Sequence, residues 1–309
     1  MRKCILLLLL IGCSLTSCSQ HPMQKDHVTA HQEEPDSVEP EAQYVISITH
    51  PGDSDRVVSM LKEAQTLADS ENVIIHYAQK FLGLPYVAHT LDQNDEECLV
   101  INTKGLDCTT YVENVAALAI CASRKITDFK GFCEVLRQVR YIHGEVAYTS
   151  RQHYFTTWMT DNVADQLVSW VPLPKSPLSE RRRPHVDFMS SHVSAYRMLN
   201  AHQEWLPAIT AMEGDVNKTE FAYIPKAQLS NSNQYRDVIR DGDIIGIVTN
   251  KAGLDISHVG FARWHKDGLH MMHASSLQKK VIDDPTSLYG YLQRQKSAVG
   301  IVLTRVNHL

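Results

Sequence analysis

The chain of 309 residues has no internal repeat, no Cys-x-x-Cys pair and no apolar run long enough to span a bilayer. Crossing a membrane as a helix takes about 20 predominantly apolar residues; the N-terminal run Ile5–Ile11 is far shorter. Without Cys-x-x-Cys spacing among the cysteines, a zinc site has little support. A basic excess is also missing. Thirty Lys and Arg face 35 Asp and Glu, for a net charge of −5. That balance argues against nucleic acid as a partner and against general attraction to anionic lipid.

The start of the chain has a recognisable pattern. Arg2 and Lys3 precede Ile5–Ile11, as in the charged and apolar regions of a secretory signal. Leu15-Thr16-Ser17-Cys18 then resembles a bacterial lipobox, in which the cysteine carries lipid and becomes the mature N-terminus. Leu10-Ile11-Gly12-Cys13 fits the same pattern, but cleavage there would leave only twelve residues of signal. The expectation is a signal over residues 1–17, lipidation at Cys18 and anchoring to a membrane through that lipid. The segment 18–43, polar and rich in Glu, Gln, His and Pro, reads as a disordered tether. The absence of an acidic run after Cys18 points to the periplasmic side of the outer membrane. Outside the cytoplasm disulfides can form. Cys121 and Cys133, on apolar helical faces, read instead as small buried hydrophobes.

Residues 44–309 read as one domain. Asp53 or Ser54 can cap a helix carrying Val57, Val58, Leu61, Ala64, Leu67 and Ala68. Ser70 can cap a second through Phe81, ended by Gly83, and Leu84 before Pro85 must be extended. Helical periodicity returns from Cys108 and again over 128–143. The final third changes to β-branched runs at 243–249, 257–264, 269–273, 280–283 and 299–305, separated by Gly-containing turns. Helices followed by a strand meander predict an α+β fold. Between these halves, 144–235 is broken by Pro172, Pro174, Pro177, Pro184, Pro207 and Pro225, with a possible helix within 186–199.

Cys108 is the most chemically suggestive residue. It follows Gly105-Leu106-Asp107 and opens a helical run, where unpaired N–H groups favour an anion and lower a thiol's pKa. A thiol nucleophile needs a base, and His258 in Ser257-His258-Val259-Gly260 supplies one on a strand. His273 on the next strand can orient it. Asp255, close to His258 in sequence, is a competing orienter. Tyr154, Phe155 and Trp158 suit a binding site and a core equally. Arg181-Arg182-Arg183 suits an acidic ligand or, more simply, a solvated loop.

Taken in order, Gly83-Leu84-Pro85-Tyr86, Asp107-Cys108, Gly242-Asp243, His258-Val259-Gly260 and His273-Ala274-Ser275 resemble the NlpC-type cell-wall cysteine hydrolases. More narrowly, Arg151-x-His153-Tyr154-Phe155-x-x-Trp158, Asp187-Phe188-Met189, Tyr223-Ile224-Pro225 and Gly253–His258 resemble their N-acetylmuramoyl-L-alanine amidase-like branch. The resemblance covers about 76–305. It implies a papain-like core of helices on an antiparallel sheet, with Cys108 as nucleophile, His258 as base and acid, and His273 as orienter. Tyr86 would sit near the thiol, with no metal or other cofactor required. The implied substrate is peptidoglycan or its muropeptides, cleaved between N-acetylmuramic acid and L-alanine. A stem-peptide endopeptidase on the same site and a silent fragment-binding lipoprotein are the alternatives. Cys108 and His258 lie 150 positions apart, longer than in compact NlpC domains. The excess, 144–235, is expected to wall the substrate cleft; the expected substrate contacts are Tyr86, Arg151, His153, Tyr154 and Asp255.

Overall fold

A computed structural model describes residues 44–307 apart from Asp69. The predicted signal, lipidation site and tether lie outside the described residues. The N-terminal half alternates short strands with helices: β1 (Ile46–Ile48), α1 (Asp53–Ala64), α2 (Val73–Lys80), β2 (Leu99–Ile101), α3 (Cys108–Ser123) and α4 (Phe129–Arg140). The middle segment adds α5 (Phe155–Ala164), β3 (Val168–Trp170), β4 (Glu180–Arg182), α6 (Phe188–Ser191), α7 (Arg197–Ala201), α8 (Leu206–Val216) and β5 (Phe221–Pro225). The remainder is β6 (Ile244–Thr249), β7 (Ile256–His265), β8 (Gly268–Ser275), β9 (Lys280–Asp283), α9 (Leu288–Arg294) and β10 (Ala298–Val306).

This is the expected mixture of helices and antiparallel sheet. The main sheet runs β4-β5-β10-β6-β7-β8-β9, with β3 also paired to β10, and all of these pairs are antiparallel. The five strands predicted from residue 243 onward are all present, with ends shifted by one or two residues. Three further strands, β3, β4 and β5, come from the segment that resisted reading. The prolines around them hide the alternation that marks a strand.

The helix ends show why local rules placed some boundaries and missed others. Asn72, not Ser70, caps α2; its Oδ1 accepts the Ile75 N–H at 3.1 Å. Asp53 does not cap α1 but accepts the His50 N–H at 2.9 Å and the Thr103 hydroxyl at 2.6 Å, fastening α1 to the loop after β2. Asp128 caps α4 as predicted, accepting from Gly131 N at 2.9 Å. That helix stops at Arg140 rather than 143, because the backbone turns extended at Tyr141 (φ −124°, ψ 139°). The helix expected within 186–199 is two short ones, α6 and α7, joined through a 3₁₀ turn.

α3 is the axis of the molecule. Its side chains from Thr110 to Cys121 are buried without interruption. A helix that is apolar on every side belongs inside a core, and here α1, α2, α4 and β7 surround it. Arg140 on α4 reaches into this core, donating to Glu113 of α3 at 2.6 Å and to the Val100 carbonyl at 2.8 Å. The middle segment has an apolar cluster of its own, centred on Tyr154, Met189, Leu199 and Ile209.

Candidate active site

Asp107 and Thr110 fix the entrance to α3. Asp107 Oδ1 accepts the Thr110 N–H at 2.8 Å, and Thr110 Oγ1 accepts the Asp107 N–H at 3.0 Å. This reciprocal cap sets the first turn and holds Cys108 at its start. Cys108 is half-buried and lines a cleft of about 190 Å³ together with His258. The Val259 backbone, together with the backbone and hydroxyl of Thr109, favours its ionised form. Burial and the neighbouring Asp107 outweigh them and push the thiol up to about 12. His258 moves the other way: burial, then the proximity of His273, hold it down to about 3. The expected thiol acidified by the helix end is therefore corrected. The fold thus pushes both groups toward their neutral forms.

His258 is oriented through a chain of contacts. His258 Nε2 lies 2.6 Å from His273 Nδ1, and His273 Nε2 lies 3.3 Å from Asp284 Oδ2. A carboxylate only accepts, so His273 Nε2 carries the hydrogen. Its Nδ1 is then a lone pair, accepting from His258 Nε2–H, which leaves His258 Nδ1 as the lone pair able to take a proton. Burial alone would raise the Asp284 pKa, but hydrogen bonds from His273 and Thr286 win and keep the carboxyl below its ordinary range. Gly260 makes the approach possible, since a Cβ there would lie 2.6 Å from the Met272 carbonyl oxygen and 2.9 Å from His273 Cβ.

Two tyrosines lie close enough to feel the charge of the Cys108 sulfur. Burial, followed by the Cys108 sulfur, raises both Tyr86 and Tyr291 to about 12. Tyr86 is held by its backbone, with its N–H on the Lys279 carbonyl at 2.9 Å. Tyr291 of α9 sets its ring edge-on to His273, with centroids 5.5 Å apart.

The middle segment contributes Gln152, His153, Tyr154, Phe155, Met189 and Tyr196 to the cleft. It walls the site as expected, but most of its predicted polar contacts are already engaged. Tyr154 donates to Glu213 at 2.7 Å and accepts from Met189 N at 3.0 Å. His153 Nε2 is committed to the Tyr148 carbonyl at 2.8 Å. Arg151 does not line the cleft; it is buried, bonded to Asp92 at 2.6 Å, near Glu97 at 3.7 Å and over the Tyr148 ring. Asp255 reaches the cleft but accepts the Thr156 N–H at 2.7 Å, supplying α5 with a cap from a distant strand. It orients the wall rather than His258. Trp158 is wholly buried, so the aromatic triplet is chiefly core. Arg181 and Arg183 pair with Glu220, and Arg182 donates to the Thr249 carbonyl, so all three serve the sheet edge. The four cysteines among the described residues are free, with Cys121 and Cys133 buried as expected.

Sequence reasoning missed Asp284 and Tyr291. Asp284 had a faint signal, an Asp-Asp-Pro stop directly after the last short strand. Tyr291 had none, since α9 is only seven residues long.

The fold and cleft define an α+β protein with a thiol and an imidazole in one site. The chain belongs to the N-acetylmuramoyl-L-alanine amidase-like family, which residues 76–301 match. It is similar to the crystal structure of an N-acetylmuramoyl-L-alanine amidase from Bacteroides uniformis. That structure is 35% identical, covers 76% of this chain and 97% of its own, and gives a TM-score of 0.69. A candidate xylanase from Bacteroides fragilis is 34% identical over 75% of this chain and 100% of its own, with a TM-score of 0.69. A Legionella pneumophila protein, 22% identical over 82% and 94% of the two chains, shares the fold with a TM-score of 0.64. No functionally curated protein matches the chain.

Proposed function

We propose that the protein is a cysteine-dependent amidase that cleaves the bond between N-acetylmuramic acid and L-alanine in muropeptides. The observation that carries this reading is the 2.6 Å contact between His258 and His273, which leaves His258 Nδ1 free in the cleft it shares with Cys108. As Sγ attacks the lactyl carbonyl carbon, its proton passes to His258 Nδ1. The Cys108 backbone N–H and the Tyr86 hydroxyl accommodate the oxyanion; one such donor is typically worth about 10²–10³ in rate. His258 gives the proton to the departing alanine nitrogen, leaving a muramyl thioester. Water, deprotonated by the same imidazole, releases the sugar acid and restores the thiol. The core assigned to this chemistry is of the papain-like NlpC type. Lipidation at Cys18 would tether the enzyme in the cell envelope, on the periplasmic side of the outer membrane.

The xylanase reading fits less well. Glycosidases ordinarily use two carboxyl groups about 5–9.5 Å apart across the bond. This cleft has one, Asp255, and it caps a helix. Mass spectrometry of muropeptides incubated with wild type and Cys108→Ala tests the proposal. Stem peptides with a free L-alanine amine, made by wild type alone, are expected. Scission between D-Glu and the diamino acid would favour the endopeptidase, and binding without any product a fragment-binding lipoprotein.

A further inference from the structure

The β7–β8 hairpin carries a second group of chemistry-bearing side chains that the reaction does not use. His265, Asp267 and His270 place one ligand atom each within 4.8 Å of one another. The two imidazoles are stacked at 4.1 Å and 13°. His270 is buried, and both of its nitrogens face acceptors. Nδ1 lies 2.8 Å from the Asp284 carbonyl oxygen and Nε2 lies 2.9 Å from Asp267 Oδ1. A carbonyl cannot donate, so Nδ1 must carry hydrogen. Nε2 and the carboxylate then meet either through a proton, as an imidazolium–carboxylate pair, or through a metal cation that takes that proton's place. An imidazole whose one N–H is fixed by a backbone carbonyl presents its other nitrogen in a set orientation, as metal-ligating histidines usually do. His265 stands beside it, and its Nε2 lies 3.0 Å from Asp283 Oδ1.

We propose that His265, Asp267 and His270 bind one divalent transition-metal ion of the zinc class, with Asp283 or water completing the shell. Metal–ligand bonds of about 2.0–2.2 Å place tetrahedral donors about 3.3 Å apart. His270 Nε2 and Asp267 Oδ1, 2.9 Å apart, must therefore open slightly, and the widest separation, within 4.8 Å, must close by up to about 1.5 Å. Asp267, 69% exposed, is free to swing inward. The ion is a brace and takes no part in bond cleavage. Its effect reaches the catalytic chain because His270 grips the backbone of Asp284, whose carboxylate holds His273.

The test uses the whole chain carrying Cys108→Ala and His258→Ala, so that the catalytic cleft cannot hold the metal. After chelation, Zn²⁺ is titrated by calorimetry and the thermal midpoint is followed. The expected result is one Zn²⁺ per chain and a midpoint raised by about 5–10 °C at a hundredfold excess over Kd. Adding His265→Asn with Asp267→Asn, both on the outer side of the hairpin, should weaken binding at least tenfold and leave the metal-free midpoint within about 2 °C. Unchanged Zn²⁺ affinity in that variant would place the metal elsewhere, the His-containing segment 21–31 included, and overturn the proposal. So would the absence of saturable binding.

Discussion

The two sides of the cleft are built on opposite plans. On the side proposed for catalysis, Cys108, His258 and His273 sit on one helix and two neighbouring strands, and the chain of contacts from Asp284 to His258 ends in an open nitrogen. On the wall, almost every polar group is closed off: Gln152 by Asp161 and Asn162, His153 by Tyr148, Tyr154 by Glu213 and Met189, Asp255 by Thr156. Reacting groups need unsatisfied valence in a rigid frame. A wall needs only shape, and its buried polar atoms must find partners within the protein. A polar, aromatic-rich motif near a cleft can therefore be scaffold, as Arg151 and Tyr154 show.

The comparison fails if the catalytic side does no chemistry. His258→Ala should lower kcat/KM by about 10³ or more, since general acid–base groups contribute about 10²–10⁴ and this one serves both steps. The same variant should alter the response to acid. In the fold His258 is held down to about 3, whereas an unfolded histidine titrates near about 6.5. Between those values the unfolded chain takes a proton that the fold refuses. This contribution to stability is complete above the unfolded value and is lost as pH falls toward the folded one. Urea midpoints at pH 7 and pH 5 should therefore separate less in His258→Ala than in wild type; equal separation would mean the imidazole is not sequestered.

Asp284→Asn sharpens the comparison, because it tests the far end of the chain without touching the cleft. An amide at this position can donate to His273 and so select the wrong tautomer along the pair. Activity should fall by about 10–100-fold, as for other residues that orient a working histidine, with KM nearly unchanged. A loss below twofold would assign Asp284 a purely structural role.

The smallest effect belongs to the wall. Tyr154→Phe removes the acceptor for Met189 N and one donor to Glu213, so it should cost about 1–3 kcal/mol of stability. Activity per folded molecule should change less than about threefold, measured at a temperature well below the transition. A larger drop in kcat with unchanged stability would return Tyr154 to the substrate site.

The residues that meet in the cleft were legible because each lies in a local pattern with one physical meaning: Asp-Cys at a helix start, His-Val-Gly where two strands must approach closely. The strands from β6 onward were legible for the same reason, since β-branched runs alternate with glycine turns. Asp284 was obscured because hydropathy patterns do not show which residue after a strand turns back toward a histidine. The role of Arg151 was hidden because an arginine's partners, here Asp92 and Glu97, are far away in sequence. The thiol's elevation arises from burial, which a helix-end rule does not contain. β3, β4 and β5 were lost among prolines.

The central claim is that Cys108 attacks the lactyl carbonyl and carries the muramyl group as a thioester. Wild-type enzyme mixed with a muropeptide and quenched in acid within the first turnover, then mapped by peptide mass spectrometry, tests it most directly. The account predicts that the Cys108 peptide gains the mass of the muramyl-lactyl acyl group less one hydrogen, and that Cys108→Ala gains nothing. A stem-peptide acyl group on Cys108, or product formation by Cys108→Ala, would contradict it.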